Sequence, residues 1–221
     1  INVVAINDLA PVDTNAFLLA NDTVHGPLNE KISVKKNKMT IGRKTISVLN
    51  ERDPQKLPWK KMKIDVALEC TGLFTSKEKA SMHIKAGAKK VLVSAPCSEA
   101  DKTIVYGVNE QEITRNDLVV SNASCTTNCL APVVKVLHEK FGIVHGYMTT
   151  IHAFTGDQSV LDTFHPDLRR ARAASMSMIP TSTGAAKAVG LVMPELSGKL
   201  DGTAIRAVSY THLTLPTIRG V

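Results

Sequence analysis

The residues most able to do chemistry lie in a polar run at positions 121–129, Ser-Asn-Ala-Ser-Cys-Thr-Thr-Asn-Cys. Cys125 follows cap-forming residues and precedes an apolar-periodic stretch, so it belongs at the start of a helix. A thiol attacks as its thiolate, and the first turn of a helix favours that form through its unpaired N–H groups and positive dipole end. The chemistry implied is addition of sulfur to an aldehyde carbon, which needs a base and an anion site nearby. His152, in Thr-Thr-Ile-His-Ala-Phe-Thr at 149–155, is the candidate base. Thr155, Arg170, Thr183, Gly184 and Arg206 offer hydroxyls, a backbone N–H at a helix start and guanidinium groups. Those are the groups phosphate oxygens take. Each also has a plainer reading. A strand histidine is more often structural, and the arginines around position 170 could be a solvated basic loop. Cys70, Cys97 and Cys129 read as small buried hydrophobes.

The 221 residues are 43% hydrophobic and 21% charged, the balance of globular material in one large or two modest domains. No apolar stretch approaches the ~20 residues of a membrane span. The net charge of +7 would permit nucleic acid as a partner, but only 4% of residues are aromatic and the basic residues are dispersed except at Arg169, Arg170 and Arg172. A small phosphorylated substrate accounts for that local cluster equally well, so nucleic acid is not expected as the primary partner. Four cysteines form no disulfide-like framework, and zinc sites need more ligands at closer spacing. No metal is expected. Reduced thiols in a cytoplasmic protein are the better reading.

Elements that position these residues follow from periodicity. Residues 2–6 read as a strand ending in Asn7-Asp8-Leu9, and residues 13–20 as a helix. Residues 32–49 read as an antiparallel meander, 64–69 as a buried strand, 76–86 as a helix capped by Ser76 and stopped by Gly87, and 91–93 as another buried strand. Continuous apolar strands alternating with helices imply a parallel sheet covered on both faces. Ligands on such sheets bind beyond the carboxyl ends of the strands, where Asp8, Thr71-Gly72 and Ser94-Ala95-Pro96 stand. From Cys125 the pattern changes: a helix over 125–141 closed by Gly142, a strand over 143–154, an Arg-rich loop over 155–180, and a helix over 185–192.

The run at 121–132 resembles the active-site signature of glyceraldehyde-3-phosphate dehydrogenases. The resemblance continues through His-Ala-Phe-Thr-Gly-Asp-Gln at 152–158, Asp-Leu-Arg-Arg-Ala-Arg at 167–172, Ile-Pro-Thr-Ser-Thr-Gly-Ala-Ala-Lys-Ala-Val at 179–189, and residues 194–202 with Arg206. Upstream, residues 3–9, 51–54 and 69–72 fit it too, so it covers 1–206. It implies an α/β fold: a Rossmann-type, mostly parallel dinucleotide-binding sheet over 1–124, lacking its first strand, followed by part of an α+β catalytic domain over 125–206. It implies Cys125 as nucleophile and His152 as base. Arg206, Thr155 and Arg170 would hold the substrate phosphate, and Ser124, Thr126, Thr183 and Gly184 a second anion. Asp8 would accept from the ribose hydroxyls of NAD, with Arg52 and Ser94 lining the cofactor groove. Glyceraldehyde 3-phosphate and inorganic phosphate would be the substrates, the setting glycolysis, and the assembly a homotetramer.

Three departures stand out. The family's opening strand and its Gly-rich turn for the pyrophosphate have no counterpart, which implies impaired cofactor binding and activity. Residues 207–221 read as an unexplained tail, either non-native or a divergent strand-turn segment. Thr163-Phe164 replaces a Pro-containing pair of the NAD-specific loop, so cofactor preference rests on Asp8-Leu9. The alternatives are an erythrose-4-phosphate dehydrogenase of the same layout, or a catalytically silent fragment.

Overall fold

A computed structural model describes residues 1–176 and 178–207. Ala207 closes the last strand, and residues 208–221 of the segment read as a tail lie outside the described residues. The chain divides into two compact units, Ile1–Leu68 with Glu78–Val91, and Glu69–Lys77 with the residues from Leu92 onward.

The first unit opens with β1 (Ala5–Asn7) and α1 (Val12–Ala20), whose Asp13 places negative charge at the positive end of the helix. A short antiparallel ladder of β2 (Asn21–Asp22) and β3 (Gly26–Pro27) follows. Then β4 (Ile32–Lys35), β5 (Lys38–Ile41) and β6 (Lys44–Leu49) form the antiparallel meander the sequence predicts. β1 joins β6 in parallel, giving the order β1-β6-β5-β4. Met39, Ile46 and Val48 point to one face of this sheet and pack with Val12 and Ala16 of α1. A second cluster gathers Leu57, Trp59, Ala67, Ala86 and Ala88. There α2 (Trp59–Met62) is tied to α3 (Lys77–Lys85) by the buried indole N–H of Trp59, which donates to His83 Nδ1 at 3.0 Å. α3 carries Glu78 in its first turn and gives way at Gly87, whose φ is 107°. A Cβ there would lie 2.4 Å from Lys60 Cβ, so both the conformation and the close approach require glycine. Ser76 forms an isolated bridge to Ser98 just ahead of α3.

β7 (Val66–Glu69), β8 (Lys90–Val93), β10 (Val119–Ser121) and β9 (Lys102–Thr103) form a four-stranded sheet in that order, with β9 and β10 parallel. β7 corrects one expectation. Its burial alternates, with Ala67 and Glu69 buried but Val66 and Leu68 exposed, so only one face of this strand is covered by the described residues.

The second unit contains α4 (Cys125–Phe141), β11 (Gly146–Ala153), β12 (Ile179–Ser182), α5 (Ala185–Val192) and β13 (Leu200–Ala207). β13 lies between the other two strands, parallel to β11 and antiparallel to β12. α4 and α5 share a core of Val105, Val108, Ala131, Val134, Val189, Val192 and Leu196. α4 ends at Gly142, whose φ of 71° is left-handed and whose N–H closes on His138 O. No helix among the described residues is long and apolar enough to cross a membrane.

Candidate active site

Cys125 is the first residue of α4, as the sequence predicts, and Ser124 is its N-cap. Ser124 Oγ accepts from Thr127 N at 3.0 Å and shares a 2.7 Å hydrogen bond with Thr127 Oγ1, so its hydroxyl is committed to the cap. The approach to the cap is tight. Ala123 has a φ of 54°, a left-handed conformation that costs an alanine of order 1 kcal/mol, and its N–H donates to Ser121 Oγ at 3.2 Å. Asn128 Nδ2 donates to Asn122 O at 2.6 Å and to Ser124 O at 2.9 Å, tying the segment before the helix to its first turn. This backbone delivers the Cys125 side chain, exposed, to the start of the helix.

His152 lies near the end of β11, and its Nε2 is 3.2 Å from Cys125 Sγ. Its Nδ1 is 2.7 Å from Ala153 O, and a carbonyl oxygen only accepts, so Nδ1 carries the proton. In a neutral ring Nε2 then presents its lone pair to the thiol. The sulfur can pass its proton to that nitrogen and receive a hydrogen bond back as thiolate.

Beside this pair is a cavity of about 300 Å³ lined by Thr126, Thr150, His152, Arg170, Ser182, Thr183, Gly184, Ala204 and Arg206. Six of the residues expected from the sequence therefore converge here. Thr155 contacts the group from outside the lining, accepting from Arg206 Nη1 at 3.1 Å, and the same nitrogen donates to Gln158 Oε1 at 3.4 Å. Ser124 does not line the cavity. Arg170 lines it but is also bound internally, through Asp157 Oδ2 at 2.8 Å, Thr181 Oγ1 at 3.0 Å and Ser182 O at 3.2 Å. Burial raises the Asp157 carboxyl, and hydrogen bonds from Arg170 and His165 outweigh it, so the group is held below its ordinary range. Thr183 Oγ1 accepts from Ala185 N at 3.2 Å in the first turn of α5.

Thr150 was not foreseen, although its signal is in the sequence. It stands two residues before His152 on the same strand, and period-two geometry puts both side chains on one face. Ser182, also in the lining, gave no such signal. The other cysteines correct the sequence reading: Cys70 and Cys129 are exposed and Cys97 is half-buried, so none is a core hydrophobe. Burial pushes the Cys97 thiol up. Among the described residues no group of three or more His, Cys, Asp or Glu is placed to hold a metal ion.

In the first unit Asp8 follows β1 and is exposed, with its backbone held by Leu49 O and by Asn50 Nδ2. Its Oδ1 accepts from Ala10 N at 2.7 Å, so the carboxylate also closes a turn. Asn7 fixes Glu51 by reciprocal side chain–backbone hydrogen bonds at 2.9 Å, bringing Arg52, also exposed, near this strand end. An exposed carboxylate at a strand terminus is the acceptor a ribose diol requires, so this residue fits a dinucleotide. In the second unit Ser94 follows β8 and is exposed, its N–H and Oγ both directed to Glu69 O.

The fold and site define a class: an α/β chain with a cysteine–histidine pair at a helix start beside an anion-type cavity. Residues 1–77 match the glyceraldehyde 3-phosphate dehydrogenase NAD binding domain, and residues 124–217 match the glyceraldehyde 3-phosphate dehydrogenase C-terminal domain. The glyceraldehyde-3-phosphate dehydrogenase of Xanthobacter flavus is 64% identical over 206 residues, which are 93% of this chain and 62% of that protein. The protein of that name from Cereibacter sphaeroides is 63% identical over 93% of this chain and 61% of its own length. The one from Pseudomonas aeruginosa is 52% identical over 99% of this chain and 67% of its own. The chain belongs to the glyceraldehyde-3-phosphate dehydrogenase family, with residues 1–77 in its NAD-binding, Rossmann-type part. It spans about three fifths of the length of the first two relatives.

Proposed function

We propose that this chain carries the thioester chemistry of a phosphorylating aldehyde dehydrogenase that converts glyceraldehyde 3-phosphate to 1,3-bisphosphoglycerate in glycolysis and gluconeogenesis. The observation that carries the reading is the 3.2 Å approach of Cys125 Sγ to His152 Nε2. Cys125 sulfur bonds to the aldehyde carbon, giving a thiohemiacetal, and His152 Nε2 takes the proton from its hydroxyl. NAD, when bound, accepts the hydride whose departure leaves a thioester on Cys125. An oxygen of inorganic phosphate then attacks the thioester carbon, the C–S bond breaks, and sulfur leaves as thiolate. Arg206, Thr155 and Arg170 hold the substrate phosphate, while Thr126, Thr183 and Gly184 hold the attacking phosphate. Ser124 acts by fixing the helix start. Asp8, Arg52 and Ser94 hold NAD.

The reading extends to a cytoplasmic homotetramer, as the family resemblance implies, and to a domain boundary at 124/125. The start of the C-terminal family match at residue 124 supports that boundary. β11 supports self-association, since Tyr147 and Ile151 are exposed on the face opposite Thr150 and His152.

The thioester step is tested in reverse. Acetyl phosphate incubated with the protein should acetylate Cys125, detected by peptide mass spectrometry, with no label in Cys125→Ser and slower labelling in His152→Asn. Equal labelling of Cys70 and Cys129 would contradict the assignment. Phosphate-dependent NADH formation with glyceraldehyde 3-phosphate against erythrose 4-phosphate then identifies the aldehyde.

A further inference from the structure

The loop before β12 contains a chain of hydrogen bonds that ends on a cavity-lining guanidinium. Asp167 engages Arg169 through both carboxylate oxygens, each contact at 3.0 Å, and accepts from Arg169 N at 3.0 Å. Its Oδ2 also lies 3.0 Å from Thr181 Oγ1. A carboxylate only accepts, so the single hydroxyl proton of Thr181 is directed to Asp167. That leaves the Thr181 oxygen lone pair for Arg170 Nε, which donates to it at 3.0 Å. Thr181 is buried, so this hydroxyl is held between Asp167 and Arg170 and away from bulk solvent. Asp157 Oδ2 and Ser182 O take one donor each from the two terminal nitrogens of Arg170. Three of the five N–H groups of a guanidinium are thereby committed, and the fork is held as a rigid unit at the cavity wall.

We propose that Thr181, oriented by Asp167, is a positioning residue for anion binding, acting through Arg170 by presetting the plane of its guanidinium. Bidentate recognition of an oxyanion depends on that plane, so a swivelling Arg170 would bind phosphate as a point charge and more weakly. The Asp167 carboxyl is held well below the ordinary range, first by the hydrogen bond from Arg169, with burial opposing and the Arg169 N–H and Thr181 hydroxyl adding to it. The proposal rests on the reading of the cavity as an anion site.

Inorganic phosphate is the probe, and its affinity is read by 31P NMR titration of the whole chain. Thr181→Val should weaken phosphate binding about tenfold, the scale of one hydrogen bond to a charged group. Thr181→Ser, which keeps the hydroxyl, should restore it to within about threefold. In an Arg170→Gln background Thr181→Val should cause no further loss, because a residue acting only through Arg170 has nothing left to position. Thr181→Ala provides the same comparison where Thr181→Val does not fold. Equal losses in both backgrounds, or no loss in either, would overturn the positioning role. A wild-type chain that does not bind phosphate would instead overturn the anion-site reading, and this proposal with it.

Discussion

His152 and Arg206 are directly opposed residues on the adjacent parallel strands β11 and β13. The imidazole and the guanidinium are therefore spaced by the sheet ladder rather than by a loop. Thr150 and Ala204 form the pair two positions earlier, on the same face. Ala204 is small and lines the cavity with Thr150, His152 and Arg206.

Arg206→Lys keeps the charge but loses the planar fork that also reaches Thr155 and Gln158. Phosphate affinity measured by 31P NMR titration should fall about tenfold, because a lysine cannot reproduce bidentate geometry. Unchanged affinity would mean that only charge is used.

Ser124→Ala removes the acceptor for Thr127 N and opens the first turn of α4. Urea unfolding should show a loss of about 1 kcal/mol. Ser124→Asp, which restores a cap acceptor, should recover most of it. A neutral Ser124→Ala would show that the cap is not holding the helix start.

Asp167→Asn should remove an acid-sensitive part of the stability. The folded-state carboxyl lies below its ordinary value of 3.8, so its contribution is complete above that value and is lost as pH falls toward the folded value. The gap between wild type and variant in urea midpoint should be constant from about pH 7 to pH 5 and narrow below about pH 4. A gap independent of pH would show that the loss is packing rather than charge.

Helix positions were the most legible part of this chain. The bounds of α4 and α5 coincide with those read from apolar periodicity, and Gly142 and Gly87 stop their helices for the reasons their residue type suggests. Strand ends were less legible. β11 begins at Gly146 and β7 at Val66, after starts read at 143 and 64, because the apolar Ile143, Val144 and Ile64 lie just ahead of the strands. Burial was misread where a neighbour is needed to supply it, as at Val66, Leu68, Cys70 and Cys129. In the site, Cys125 and His152 were legible because Cys125 starts α4 and His152 lies next to the end of β11. Arg170 was seen as a ligand, but its internal partners Asp157 and Thr181 were not, since contacts 13 and 11 residues apart leave no periodic trace.

Helix position and His152 together should make Cys125 the reactive thiol of this chain. This is tested by the rate of alkylation of each cysteine with iodoacetamide near neutral pH, resolved by peptide mass spectrometry. Cys70 and Cys129 are also exposed, so accessibility alone cannot favour Cys125. Cys125 should react at least about tenfold faster than either, and His152→Asn should remove most of that advantage. Equal rates at the three positions, unaffected by His152→Asn, would contradict it.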